Sequence, residues 1–297
     1  MARENLVILL GSVAMEPLIK NKPGEESTKY AMVYINVGRG VRDVGDGRKL
    51  MHCDDPMIMT RDPKLVEEIS KWHTYDIVLI KGTIATKQIK KASHCTFCGV
   101  RNVITGMLVY VYPTYAKKWT HFDSADECLR FIADNREISN LARIFGTLVK
   151  DPSQITTKAG LRITQYPIAM YRKLKIRSDP PAIRADYPWV KSYGAIADED
   201  MKRLYTGSEI MVDGCLQTRL VLRHIVCGVS YDKDGKPEKD EDGNPRMRAG
   251  PSGKPEGCGR TYDWKDRAME VVPYSVEYER NYRGDEEEEK KEEENDS

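Results

Sequence analysis

The stretch Asn5-Leu-Val-Ile-Leu-Leu-Gly11, followed by Pro17, returns later in the chain as Asn140-Leu-Ala-Arg-Ile-Phe-Gly146, followed by Pro152. Asn, Gly and Pro keep one offset of 135. A second block repeats with an offset of 132, Ile80-Lys-Gly82-Thr-Ile-Ala-Thr86 against Val212-Asp-Gly214-Cys-Leu-Gln-Thr218. Asp54-Asp-Pro56 and Asp186-Tyr-Pro188 keep the same 132. A chain with such a period is read as one structural unit written twice, and the fold follows from identifying that unit.

Each copy reads as short strands. Leu6–Leu10 is an apolar run broken at Gly11, Tyr30–Val37 is aromatic and β-branched, and Pro56–Thr60 is a third strand. Gly38–Gly47 is rich in glycine and charge and reads as a hairpin loop. Asp62-Pro63 then opens a helix through Trp72, with Asp62 suited to the N-cap and Pro63 to the first turn. Ile77–Ile84 and Leu108–Tyr112 complete the copy. The second copy gives the same order: Asn140–Phe145, Leu161–Tyr171, Pro188–Tyr193, a helix near Asp198–Tyr205, Glu209–Thr218 and Met269–Pro273. Five strands with a helix between the third and fourth are expected to form a five-stranded Greek-key OB barrel. The fold class is thus mainly β, with two tandem OB-fold barrels and short helices.

The domain boundaries expected are 1–118 for the first barrel, 119–138 for a helical connector, and 139–282 for the second barrel. The second carries a long inserted loop, 228–257, and residues 283–297 form an acidic, disordered tail. Residues 285–297 hold nine acids and two lysines, a charge of −7. The rest of the chain has 45 bases against 37 acids, or +8, although the whole chain is only +1. A basic body with an acidic tail is the asymmetry of a nucleic-acid binder. No window approaches the ~20 apolar residues of a membrane span, and Met1-Ala-Arg-Glu4 leads into a strand without the apolar core of a signal peptide. A cytoplasmic protein is expected, in a bacterial or phage-infected cell.

The residues resemble the bacterial-type single-stranded-DNA-binding proteins, the second copy most closely. Asn140-Leu-x-x-Ile-x-Gly146-x-Leu148-x-x-Asp151-Pro152 is similar to the family's opening strand, and Tyr187-Pro-x-Val190-x-x-Tyr193-Gly194 to its third. Leu204-x-x-Gly207-Ser208-x-Ile210-x-Val212-x-Gly214-x-Leu216-Gln217-Thr218-Arg219 resembles the helix end and fourth strand. The first copy matches more weakly in the same order. The resemblance implies a protein that coats single-stranded DNA in replication, recombination or repair, with no chemical step. It also implies four OB folds per assembly, which for a duplicated chain is a homodimer. The tail ends Asn295-Asp-Ser297 without the family's apolar tip, so partner docking through that tip is not expected.

Binding without sequence preference needs a basic groove and aromatic faces on which bases stack. Trp189, Lys191 and Tyr193 alternate along one strand and share a face. Tyr166, Tyr171, Arg172, Lys173 and Arg219 surround them in sequence. The first copy has Met57, Met59 and Arg61 at the equivalent strand, so Tyr30, Tyr34, Arg39 and Lys87 are its best offers. Ordinary packing is the competing account of each aromatic. RNA binding by the same barrels, or a protein-binding scaffold, are the competing functions.

Seven cysteines, an odd number, do not form a simple disulfide framework. Cys95-Thr-Phe-Cys98-Gly99 sits between the fourth and fifth strands, and His224-Ile-Val-Cys227-Gly228 repeats it at an offset of 129. A ligand pair two residues apart followed by glycine is half of a zinc knuckle. One zinc per barrel is expected: Cys95, Cys98 and Cys53 in the first, with His52 or His94 in support, and His224, Cys227 and Cys258 in the second. Free thiols, or a thiol pair in the first copy, are the alternative. Cys128 and Cys215 are read as packing residues. No P-loop, GxSxG or HExxH is present, so an enzyme is not expected.

Overall fold

The computed structural model describes residues 4–22, 25–43, 49–172, 176, 184–232, 235–250 and 256–284. The first copy runs β1 (Asn5–Val13), β2 (Leu18–Lys22), β3 (Glu25–Asp43), β4 (Lys49–Asp54), β5 (Met57–Thr60), α1 (Pro63–Ile69), β6 (Asp76–His94) and β7 (Arg101–His121). Helices α2 (Ala125–Asp134) and α3 (Arg136–Ser139) lead to the second copy. That copy runs β8 (Asn140–Leu148), β9 (Ser153–Thr156), β10 (Arg162–Tyr171), β11 (Ala185–Asp186), β12 (Trp189–Tyr193), α4 (Gly194–Arg203), β13 (Glu209–Val226) and β14 (Thr261–Arg280). The protein is mainly β, and among the described residues no helix is long and apolar enough to cross a membrane.

In the first barrel β1 pairs with β3 and β6, β3 with β5, and β5 in parallel with β7, while β6 and β7 are neighbours. In the second, β8 pairs with β10 and β13, β10 with β12, and β12 in parallel with β14, beside β13. Both rings close, which leaves the apolar face of every strand inside. The parallel contacts, Ile58 on Val111 and Val190 on Val271, show that β7 and β14 correspond at an offset of 160.

The landmarks of the repeat have mechanical roles. The Asn5 side-chain amide donates to the Ile84 carbonyl at 3.0 Å and accepts from the Ile84 N–H at 2.9 Å. Asn140 does the same to Leu216, at 2.8 and 2.9 Å. Each buried amide stitches the first strand of its barrel to the fourth. A Cβ on Gly214 would lie 2.1 Å from the Val272 carbonyl oxygen, and one on Gly82 2.5 Å from that of Tyr112. Strands four and five cross too closely there for any side chain. Asp62 caps α1 by accepting from the Lys64 and Leu65 amides, as its sequence predicts.

Two compact units are distinguished. The first, Met1–Ala85, Val109–Thr218 and Met269–Ser297, holds both barrels, joined by an antiparallel pairing of β1 with β8. Its core includes Leu9, Ile35, Ile58, Trp72, Ile80, Ile144, Ile168, Val190 and Val212. The second unit is Thr86–Leu108 with Arg219–Ala268. It has its own small core of Cys95, Ile104, Ile225, Cys227 and Tyr262.

Strands four and five were expected to end near Ile84 and Thr218 and to begin near Leu108 and Met269. Instead β6 reaches His94, β13 reaches Val226, β7 starts at Arg101 and β14 at Thr261. Alternation carries them: Val221, Arg223 and Ile225 turn away from solvent more than Leu220, Leu222 and His224. The charged side chains of Lys90, Lys91 and Arg223 conceal this period in the sequence. Glycine-rich Gly38–Gly47 is likewise strand as far as Asp43, paired with β4, and 44–48 lie outside the described residues. Among its described residues, the inserted loop 228–257 holds three isolated antiparallel bridges, Val229 with Met247, Tyr231 with Pro237 and Lys239 with Pro245. Residues 285–297 of the acidic tail lie outside the described residues.

Candidate nucleic-acid interface and metal centre

On the second barrel, β12 lies antiparallel to β10 with Trp189 opposite Pro167, Lys191 opposite Gln165 and Tyr193 opposite Ile163. Directly opposed side chains share a face, so these six residues lie on one face of the sheet, where Ile163, Pro167 and Lys191 are buried and the exposed surface is chiefly that of Trp189. Trp189 is 42% exposed. Tyr193 is half-buried, and its hydroxyl donates to Gln217 Oε1 at 3.0 Å, which fixes the ring. Lys191 is nearly buried and its Nζ lies 3.8 Å from Glu270 on β14, so its charge is already compensated.

The equivalent face of the first barrel is not bare. Tyr34 on β3 stands opposite Met57, and Met32 opposite Met59. Where the second barrel pairs Pro167 with Trp189, the first pairs Tyr34 with Met57. Each cross-strand pair carries one aromatic, on opposite strands in the two copies. Tyr30 lies on the same outward side of β3, half-buried, and faces Lys20 on β2.

Three expected binding residues lie off this face. Tyr166 is fully buried, and its hydroxyl donates to Asp200 at 2.9 Å, so its ring faces cannot receive a base. Arg172 grips Asp186 through Nε at 2.6 Å and Nη2 at 2.7 Å, with both side chains almost wholly buried. Arg39 Nε holds buried Asp54 at 2.8 Å, with the Arg39 side chain 24% exposed. This ion pair recurs in both copies and ties strand two to the segment before strand three, which gives both arginines a structural task. Lys191 stays on the β12 face but is buried beside Glu270. Tyr171 is 48% exposed at the end of β10. Arg219 and Lys87 are half-buried in the second unit, and Lys173 lies outside the described residues. Exposed aromatics beyond the expected binding residues are Tyr115, 47% exposed, and Trp119, 66% exposed, on β7, while Tyr187 of the third-strand motif is 45% exposed before β12. The signal for the first two was their even spacing.

The second unit holds a different site. The sulfurs of Cys95, Cys98, Cys227 and Cys258 all lie within 4.8 Å of one another. Cys95 and Cys258 are 3.7 Å apart, Cys98 and Cys227 3.5 Å. Four thiolates at ~2.3 Å from a tetrahedral zinc would stand about 3.8 Å apart, so the set fits. The Phe97 amide donates to Cys95 Sγ at 3.4 Å, and Asn102 Nδ2 approaches Cys227 Sγ at 3.8 Å while its Oδ1 accepts from the Gly228 N–H. Such contacts orient ligands. Gly228 is required there: its φ is +86°, and a Cβ would meet the Glu256 carbonyl oxygen at 1.9 Å. Burial opposes ionisation of Cys95, yet the Phe97 and Cys98 amides and nearby thiols outweigh it and bring the thiol down to about 7. Burial pushes Cys227 up to about 11.

This corrects the expectation of one metal per barrel. Each copy supplies half of one four-cysteine site. Cys53 is exposed in the first unit and is not among the four, and the His224 ring is engaged by Asp263 at 2.6 Å. Cys128 and Cys215 are buried as packing residues.

Residues 139–224 match the Single-strand binding protein family. Among solved structures, the chain resembles a deletion mutant of the single-stranded DNA binding protein from Thermus aquaticus, at TM-score 0.58 and 13% identity over 95% of this chain and 97% of that one. The wild-type Thermus aquaticus protein gives TM-score 0.55 and 12% identity over 95% of each chain. Both share the fold over nearly the whole chain. No curated protein matches the chain in sequence.

Proposed function

From the family match across the second barrel, we propose that this chain coats single-stranded DNA during replication, recombination or repair. It binds and does no chemistry. The observation that carries the reading is the outward patch of β12, where Trp189 offers an exposed face and Tyr193 a ring held by Gln217. Tyr34 presents an aromatic at the matching pair of the first barrel. Stacking on such faces is worth ~1–3 kcal/mol per base and tolerates any sequence. The +8 body supplies the electrostatic term, which makes binding fall steeply with salt. Two barrels per chain fit a homodimer that presents four. One zinc ion held by Cys95, Cys98, Cys227 and Cys258 belongs to the same reading, supported by the sulfur separations. Its role there is structural: four protein ligands leave no open position for catalysis.

The test is tryptophan quenching by oligo-dT, oligo-U and duplex DNA at two salt concentrations. Oligo-dT is expected to bind best and to weaken with salt. The double variant W189A/Y193A should lose at least about tenfold in affinity, a threshold set below the roughly thirtyfold that two stacking contacts at ~1 kcal/mol each would give. Equal affinity of the variant and the wild type would sink the stacking account, and preference for oligo-U would make this an RNA binder.

A further inference from the structure

We propose that Tyr115, Lys117 and Trp119 on β7 form a second base-stacking site for single-stranded DNA, on the first barrel alone. The inference rests on the reading of the chain as a single-strand binder. The three residues occupy alternate positions, so their side chains project to one side of the strand. Tyr115 is 47% exposed and Lys117 is exposed. Trp119, at 66%, is the most exposed large hydrophobic side chain among the described residues.

The residues between them fix this face. Ala116 is buried. Lys118 reaches the fully buried Asp76 at 2.6 Å, and the His121 ring contacts the same carboxylate at 2.8 Å. The end of β7 is therefore anchored through Lys118, while Tyr115, Lys117 and Trp119 face outward from a held backbone.

The second barrel is an internal control. Pro113 and Pro273 keep the offset of 160, and both stand over the strand-four glycine. Further along, both strands pass the helix of their own barrel. The Lys118 amide approaches Glu68 of α1 at 3.5 Å, and the Tyr278 hydroxyl donates to Asp200 of α4 at 2.9 Å. Residues 118 and 278 are offset by 160, and residues 68 and 200 by 132. The counterparts of Tyr115, Lys117 and Trp119 are thus Ser275, Glu277 and Glu279, all exposed. The same backbone accepts Ser-x-Glu-x-Glu, so the barrel does not require aromatic or basic side chains here. They answer to something outside it.

The occupant is set by chemistry. Two flat apolar rings flanking an ammonium suit a polyanion that carries flat apolar faces. Alternate residues on a strand are about 6.8 Å apart, a spacing that leaves room for a base on each ring and a phosphate at Lys117. Glu277 and Glu279 repel phosphate, so the second barrel has no such site.

The experiment titrates the full-length wild type, W119A, W119F, K117E and W189A/Y193A with oligo-dT, with mass measured by light scattering. W119A and K117E should each lose at least about fivefold in affinity at unchanged mass. W119F, which keeps a ring, should stay within about twofold of the wild type. Normal binding by W119A and K117E beside a weakened W189A/Y193A would overturn this site and leave the β12 patch standing. A fall in the mass of W119A would also overturn it, because the face would then join copies of the chain. A wild type that ignored oligo-dT would overturn the functional reading and this site with it.

Discussion

Val7 lies directly opposite Ala142, and each is the other's counterpart in the repeat. The pairing around them is symmetric, with Asn5 opposite Ile144 and Leu9 opposite Asn140. An antiparallel pair of equivalent strands brings one residue against its own copy, and the two barrels are related about that point. Both residues are fully buried. Ala142→Glu would place a charge there without a partner. It should destabilise the chain by about 3–5 kcal/mol, measured by urea unfolding, while Ala142→Val should cost far less.

The four-cysteine site predicts an all-or-none pattern. Cys95→Ser, Cys98→Ser, Cys227→Ser and Cys258→Ser should each cut bound zinc from about one per chain to nearly none, since a structural site needs four ligands. Cys53→Ser and His224→Ala should leave the zinc content unchanged. Elemental analysis of the purified variants decides between one shared site and one per barrel. Loss of zinc with Cys53→Ser would restore the two-site arrangement.

Tyr166 predicts a separation of stability from binding. Removing its hydroxyl with Tyr166→Phe leaves buried Asp200 with one donor fewer. The expected cost is about 1–3 kcal/mol, read from a urea melt. Affinity for oligo-dT should stay within about twofold of the wild type. A large loss of affinity at unchanged stability would return Tyr166 to the binding surface.

Asp200 also sets a pH dependence. Burial raises its pKa above the ordinary carboxylate value, although Ser192, Tyr278 and Tyr166 oppose the shift by hydrogen bonding. The folded chain therefore holds this proton more tightly than the unfolded one. Its contribution to stability is full below the unfolded value of 3.8 and is lost as pH rises through the raised folded value. The wild type should thus lose stability relative to Asp200→Asn as pH rises from 4 to 7 in paired thermal melts. A difference that grows in favour of the wild type would contradict the shift.

Much of this architecture is legible in one dimension. The offsets of 135 and 132 mark the first, third and fourth strands of each barrel, because Asn5 and Gly82 have the backbone tasks described above and a Cβ on Gly11 would lie 2.3 Å from the Asn36 carbonyl oxygen. Tyr166 was legible too: it alternates with Ile168 and Met170, and all three are buried on the inner face of β10. Its basic neighbours in the sequence point to the surface instead. Tyr115, Lys117 and Trp119 carry the same alternation, at the end of a strand that local pattern stops too early.

The repeat, the strand order and the cysteines that are candidates for metal can be read along the chain, since these depend on period and near-neighbour spacing. Tertiary structure alone decided which thiols meet. Cys98 and Cys227 are far apart in the chain yet 3.5 Å apart in space, so the two copies share one site. It also decided that Lys191 faces Glu270 and that Arg39 and Arg172 are spent on buried aspartates. Charge compensation and metal coordination act through space at a few ångströms, and chain position does not record that distance.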